Sequence, residues 1–219
     1  MRDMGTRPVI RQTFDSTPLP GVPIVAFDFD GTLTIRDSFT AFLRWRAGPA
    51  RWALGLAKLA PAVLGYARDR DRGRIKAASV REFLGGVDRP TLEAEAEKFA
   101  EHIWPRFIRP DALACWQDWG RKGAHRVIVT ASPEITVAPF ARRLGAEALL
   151  GTHMTFDDDD RVTGAFTGPN CRGEEKVRRL RAAYGKDLQL AAAYGDTSGD
   201  TEMLAFAAEA GFRVFTKRP

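Results

Sequence analysis

Three short apolar runs, far apart in the chain, each stop at an oxygen-bearing side chain. Residues 22–27 run into Asp28, Val127-Ile128-Val129 into Thr130, and residues 190–194 into Gly195-Asp196. Runs that stay apolar, without polar alternation, suit strands buried on both faces. Helical stretches lie between and after them, at residues 110–122, 133–144, 174–184 and 200–210. Strand and helix in alternation predict an α/β fold, a doubly wound and mostly parallel Rossmann-like sheet. In such sheets ligands bind beyond the carboxyl ends of the strands, where Asp28, Thr130 and Asp196 fall.

Local signals refine this frame. Ser132-Pro133 reads as a capping hydroxyl followed by proline at the first helical position, and Gly145 as the stop of the same helix. Met154-Thr155-Phe156 and residues 161–166 flank the acidic turn 157–160 and predict a β-hairpin. The four aspartates lack the spacing of a calcium loop, so they read as a solvated turn.

Residues 35–110 interrupt the alternation and look wholly helical, which predicts a cap inserted into a core of residues 22–35 and 111–219, behind an N-terminal arm of residues 1–21. This arrangement fits one domain with an insertion within 219 residues. The insertion also concentrates charge. Positions 36–81 hold 11 Lys or Arg and 3 Asp or Glu, a local +8 against +5 for the whole chain. Within it, residues 51–68 place Trp52, Leu54, Leu56, Leu59 and Val63 among Arg51, Lys58 and Arg68. That pattern serves either a helix lying in an anionic membrane surface, with Trp45 and Trp52 near the headgroups, or a helix packed on its neighbours. Lys58 and Pro61 interrupt it before it could span a bilayer. No basic motif studded with aromatics points to nucleic acid.

Cys115 and Cys171, 56 positions apart, form neither a disulfide framework nor a zinc site, and the first twenty residues carry no signal-peptide core. The expectation is a cytoplasmic protein, with peripheral contact at the inner membrane face if residues 51–68 meet lipid. His102, His125 and His153 share no ligand spacing and read as ordinary surface or core residues.

The chemistry concentrates at the strand ends. Residues two apart in an extended strand project to one side, so Asp28 and Asp30 would face one small volume, where a divalent cation would relieve their repulsion. Asp196 and Asp200 form a second acidic pair able to complete the shell. Thr130 offers a hydroxyl, the N–H groups before the helix at Ser132-Pro133 can hold phosphate oxygens, and Lys176 supplies a fixed positive charge.

Asp28-Phe29-Asp30-Gly31-Thr32-Leu33-Thr34, Val127-Ile128-Val129-Thr130, Lys176 and Gly195-Asp196-Thr197-Ser198-Gly199-Asp200 together resemble the four motifs of the haloacid dehalogenase superfamily, in order and spacing, over residues 22–219. A long helical insert after the first motif is similar to the phosphoserine-phosphatase-like branch. The resemblance implies a phosphomonoester hydrolase. Asp28 would be the nucleophile that forms an aspartyl-phosphate and Asp30 the general acid and base. Mg²⁺ would be held by Asp28, the backbone carbonyl of Asp30, and Asp196, with Asp200 in support. Thr130, the Ala131 amide and Lys176 would balance charge on the phosphoryl oxygens.

For the substrate, two readings stay open. A phosphoserine phosphatase usually carries glutamate nine residues after the nucleophile and Ser-Gly-Gly in its second motif; here Asp37 and Thr130-Ala131-Ser132 stand there. Asp37-Ser38-Phe39, Phe42-Leu43-Arg44, residues 171–176 and Phe212-Arg213-Val214 more closely resemble a bacterial phosphatidylglycerophosphatase-like group, which implies a lipid-linked phosphate. A small soluble metabolite such as phosphoserine is the enzymatic alternative. A receiver-like phosphorylatable signalling module is the non-enzyme one, though receivers lack a general acid two residues after the nucleophile and have no cap.

Overall fold

The computed structural model describes residue 14 and residues 17–69 and 72–219, with the backbone alone at positions 61–69 and 72. Most of the expected arm, residues 1–13 and 15–16, therefore lies outside the described residues, as do the side chains of the second half of segment 51–68.

Six strands form one sheet in the order β4-β3-β2-β1-β5-β6, with β1 Ile24–Phe27, β2 His125–Pro133, β3 Ala148–Phe156, β4 Val162–Thr167, β5 Leu190–Gly195 and β6 Ala207–Phe212. All neighbours run parallel except the β3–β4 hairpin, which is antiparallel at one edge. The three apolar runs become the adjacent central strands β2, β1 and β5. Their side chains feed two cores by simple alternation. Val25, Phe27 and Ile128 pack with Trp116 and Phe140, carried on α4 Pro110–Arg121 and α5 Glu134–Leu144. Ile24, Ala26, Val127 and Val129 pack with Leu180 and Met203, carried on α6 Glu174–Tyr184 and α7 Thr201–Ala205. Phe27 meets the Trp116 ring edge-on at 5.0 Å and stacks on Tyr194 at 4.5 Å, a packing gain beyond simple area burial.

Two expectations change here. The helix expected over residues 200–210 ends at Ala205, and Ala207–Phe212 is the edge strand β6, paired with β5 from Leu190↔Ala207 to Gly195↔Phe212. The helix expected from Pro133 begins at Glu134 with Pro133 as its N-cap, so no Ser132 side chain caps it. Its C-terminus does stop as expected, at Gly145 with φ +63.

Between β1 and α4 the chain forms α1 Ser38–Asp69, α2 Arg72–Leu84 and α3 Arg89–Ile103. Gly48, at φ +70, breaks α1 into two segments, a conformation glycine adopts without a Cβ penalty. Asp37 starts α1 by accepting from the Thr40 N–H at 2.6 Å, and Asp88 starts α3 by accepting from the Thr91 N–H at 2.9 Å. In the second segment of α1, Trp52 stacks on Phe83 of α2 at 4.9 Å and Leu59 is buried, whereas Leu54 is 55% and Leu56 47% exposed. α2 lies against β4. Gly164, at φ +87, faces the backbone of Arg81 so closely that a Cβ there would collide with it. Backbone bonds from Gly86 N–H to the Val162 carbonyl and from Val162 N–H to the Val87 carbonyl, both 2.9 Å, continue the contact. The turn at 157–160 is exposed, with Arg89 paired to Asp160 at 2.8 Å.

Candidate active site

Beyond the carboxyl ends of the central strands lies a pocket of about 420 Å³, lined by Asp28, Asp30, Asp37, Ala131, Lys176, Asp196 and Asp200 among others. Asp28 directly follows β1 and anchors there through its N–H to the Tyr194 carbonyl at 2.8 Å. The chain then makes a tight turn over Phe29–Leu33, closed by Thr34: its N–H and Oγ1 reach the Phe29 carbonyl at 3.0 and 3.2 Å. Gly31 in this turn has φ +86, and a Cβ on it would overlap the Asp196 carboxylate. The glycine therefore lets the first turn approach the acid that ends β5.

Because β1 stops at Phe27, the alternation expected of Asp28 and Asp30 does not apply. Both line the pocket, but their carboxylates do different things. Oxygens of Asp28, Asp196 and Asp200 lie within 4.8 Å of one another. Asp30 turns instead to the Ser38 N–H, at 2.6 Å from Oδ1, and the Ser132 hydroxyl, at 2.5 Å from Oδ2. The Ser132 hydroxyl that was expected to cap a helix thus serves Asp30.

Lys176, on the first turn of α6, is 1% exposed and uses all three ammonium protons: on Asp28 Oδ1 at 2.6 Å, Asp200 Oδ1 at 2.7 Å and the Val129 carbonyl at 2.6 Å. Asp200 also accepts from the Thr197 N–H at 2.9 Å and the Asp196 N–H at 3.2 Å, which fixes the loop after β5. Burial alone would lower the Lys176 pKa, but Asp28 and Asp200 outweigh it and hold the ammonium charged. Burial, reinforced by Asp200, raises Asp28 to about 7 against the pull of Lys176. Asp30 rises to about 6 through burial and the charge of Asp37, opposed by the bonds from Ser132 and Ser38. Asp196 rises through burial and Asp200, whereas at Asp200 the effect of burial is overcome by Lys176 and the carboxyl titrates low. Three crowded carboxylates with one balancing lysine are a donor set of hard oxygens that suits Mg²⁺, whose charge would keep them ionised.

Thr130 is fully buried in β2 and its Oγ1 accepts from the Ser132 N–H at 3.0 Å. Ala131 sits where the β2–β3 register shifts, between Val129 and Pro133, and its carbonyl accepts from Lys76 at 2.6 Å and from Thr152 at 2.8 Å. Asp37 lines the pocket while one of its oxygens caps α1.

Residues not anticipated by sequence complete the wall. Lys76 reaches in from α2 and also bonds Asn170 Oδ1 at 3.2 Å; burial lowers its pKa against the charges of Asp30 and Asp37. Arg172 reaches Thr197 Oγ1 at 3.3 Å and Ser198 Oγ at 3.0 Å, and Arg109 braces the Gly31 and Thr34 carbonyls at 3.1 and 3.2 Å. In the sequence Lys76 was one basic residue among eleven, with nothing to single it out. Arg172 stood beside the recognised motif without a role. Cys171 is buried, its N–H on Thr152 Oγ1 at 3.1 Å, and burial pushes its thiol up to about 11, as suits a packed loop residue. His125 bonds the Tyr184 hydroxyl at 2.9 Å and His153 pairs with Glu134 at 2.9 Å, both outside the pocket wall.

The family model for haloacid dehalogenase-like hydrolases matches residues 25–205, a span that includes Asp28, Thr130, Lys176 and Asp196. The chain belongs to the haloacid dehalogenase-like hydrolase family. Protein CicA of Caulobacter vibrioides is 57% identical over 196 residues, covering 90% of this chain and 88% of that protein. A solved structure of a protein of unknown function from Bordetella pertussis Tohama I aligns with a TM-score of 0.70 at 23% identity, over 84% of this chain and 86% of that one. A substrate-bound phosphoserine phosphatase aligns at 0.55 and 16% identity, over 85% and 83% of the two chains. This haloacid dehalogenase-like hydrolase therefore shares its fold with phosphoserine-phosphatase-like members of the family.

Proposed function

We propose that the protein is a Mg²⁺-dependent phosphomonoester hydrolase in which Asp28 carries the phosphoryl group between two displacements. The observation that supports this most is the Lys176 ammonium bridging Asp28 and Asp200, beside Asp196, at the end of a central strand. Asp28, Asp196 and the Asp30 backbone carbonyl would hold the ion, with Asp200 in support. Bound there, Mg²⁺ supplies Lewis-acid stabilisation of the phosphoryl oxygens. Asp28 attacks phosphorus while Asp30 gives its proton to the departing oxygen; Asp30 then takes a proton from the water that cleaves the aspartyl-phosphate. Lys176 fixes the nucleophile, and the Ala131 amide would face the phosphoryl oxygens, whereas Thr130, buried outside the pocket wall with its hydroxyl on the Ser132 N–H, would act only by holding that segment.

The substrate we propose is a lipid-linked phosphate such as phosphatidylglycerophosphate, bound at the anionic face of a membrane. In this reading residues 36–110 form the cap. Arg36, Lys76 and Arg172 line the pocket and favour a substrate with negative charge beyond the phosphate to be cleaved. On the outside, exposed Leu54 and Leu56 stand beside exposed Lys58, the mixture that suits a headgroup boundary. No helix among the described residues is long and apolar enough to cross a membrane, so the proposed contact is peripheral.

Released phosphate, measured with phosphatidylglycerophosphate in mixed micelles, phosphoserine and glycerol 3-phosphate, each with Mg²⁺ or with chelator, tests both parts. Chelator-sensitive turnover fastest on the lipid is expected. Hydrolysis of phosphoserine alone would overturn the lipid assignment, and stable phosphorylation of Asp28 without turnover would overturn the hydrolase.

A further inference from the structure

Ser132 stands one residue before Pro133, where a hydroxyl would normally cap the following helix, yet α5 takes Pro133 as its N-cap with no side-chain bond to it. Ser132 is 2% exposed, and its hydroxyl lies 2.5 Å from Asp30 Oδ2. The Ser132 backbone is fixed as well, through its N–H on Thr130 Oγ1 at 3.0 Å, while the preceding carbonyl is held by Lys76 and Thr152. The other oxygen of the same carboxyl, Oδ1, accepts from the Ser38 N–H at 2.6 Å.

These two bonds pin the carboxyl at both ends, each with the serine donating and an Asp30 oxygen accepting. A backbone amide can only donate, so Oδ1 is held as an acceptor in every state of Asp30. The Ser132 hydroxyl donates to one lone pair of Oδ2 and leaves the other open to carry the exchangeable proton. We propose that Ser38 and Ser132 together fix the rotation of the Asp30 carboxyl, with Ser132 as the positioning residue that keeps Oδ2 turned toward the leaving oxygen. The proposal rests on the phosphomonoesterase reading above.

In the first displacement, an Asp28 oxygen bonds to phosphorus as the ester P–O bond breaks. The bond's electron pair stays on the leaving oxygen, which takes the proton from Asp30 Oδ2. Asp30 is left as a carboxylate, with the Ser132 hydroxyl donating to Oδ2 throughout. In the second displacement, water gives a proton to Oδ2 while its oxygen bonds to phosphorus and the Asp28–phosphorus bond breaks. Removing the hydroxyl leaves Oδ2 without its buried partner and frees the carboxyl to rotate. The loss should then scale with how much the leaving oxygen needs a proton.

The test is kcat/KM, which reports the steps through leaving-group departure, across phosphomonoesters from p-nitrophenyl phosphate to simple alkyl phosphates. In S132A the alkyl esters should fall about tenfold further than the aryl ester, a fraction of the 10²–10⁴ that general-acid catalysis supplies. S132T, which keeps the hydroxyl, should restore the wild-type dependence on leaving-group pKa. In a D30N background, S132A should add little on any ester. A uniform fall across the series, or the same factor in wild-type and D30N backgrounds, would overturn the positioning role. If S132A does not fold, S132G removes the same hydroxyl without adding atoms and is read against the same two outcomes. A wild-type enzyme inert toward every phosphomonoester would instead defeat the phosphomonoesterase reading, and the two failures are separable.

Discussion

The Lys176 ammonium lies 2.6 Å from Asp28 Oδ1, joining residues 148 positions apart into one buried pair, and the same nitrogen holds Asp200 at 2.7 Å. Lys176→Met should therefore lower kcat/KM by about 10²–10³-fold, the scale of losing one preorganised charge at a reacting oxyanion. It should also reduce stability by about 3–5 kcal/mol, because two carboxylates lose their buried counter-ion. Urea unfolding and phosphate release measure the two effects. A variant of wild-type stability would contradict the geometry.

The raised pKa of Asp28, about 7, makes stability depend on pH with a definite sign. The folded state holds a proton there that the unfolded chain releases near the ordinary carboxylate value of 3.8, so this group's contribution weakens as pH rises from about 4 to about 7. Mg²⁺ bound at Asp28 as proposed would displace that proton. The increase in Tm on adding Mg²⁺ should thus be larger at pH 8 than at pH 5, and an equal shift at both would argue against Asp28 as a ligand.

Lys76 places a cation in the pocket from α2 and, among the described residues, bonds to neutral oxygens, the Ala131 carbonyl and Asn170 Oδ1. Lys76→Gln should raise KM for an ester with a second anionic group by about tenfold or more, in line with the ~1.5–3 kcal/mol of a hydrogen bond to a charged group, while an uncharged aryl phosphate loses less. Equal losses for both would assign Lys76 to shaping the Ala131 segment instead.

Leu54→Glu with Leu56→Glu alters only exposed positions, so folding stability should stay within about 0.5 kcal/mol. Sedimentation with anionic vesicles should fall severalfold and turnover of a water-soluble phosphomonoester should persist. Unchanged vesicle binding would remove the membrane role.

The sheet was legible because its central strands are unbroken apolar runs, whose burial on both faces leaves few alternatives. The edge was not. Residues 205–210 are rich in alanine, a strong helix former, but pairing with β5 draws Ala207–Phe212 into a strand, and Gly211 leaves room for the Tyr194 ring. Tertiary contact overrides local propensity there. At the site, motif order pointed to Asp28 and Asp196, which the fold gathers with Asp200, whereas the Asp30 carboxylate, expected to share the same small volume as Asp28, turns to Ser38 and Ser132. Ser132 was misread because capping is a local rule, whereas its actual partner, Asp30, is 102 positions away. Lys76 was hidden among many cations because helical periodicity does not say which one a neighbouring sheet will cover.

Gly164 lies far from the pocket in sequence and role, yet it sets how close α2 can come to the hairpin. α2 is the beam that carries Lys76 inward. Any side chain at position 164 would act as a wedge between hairpin and beam and withdraw the lysine from the Ala131 carbonyl. The aperture of the pocket is therefore gauged by the absence of a single methyl group on its outer frame.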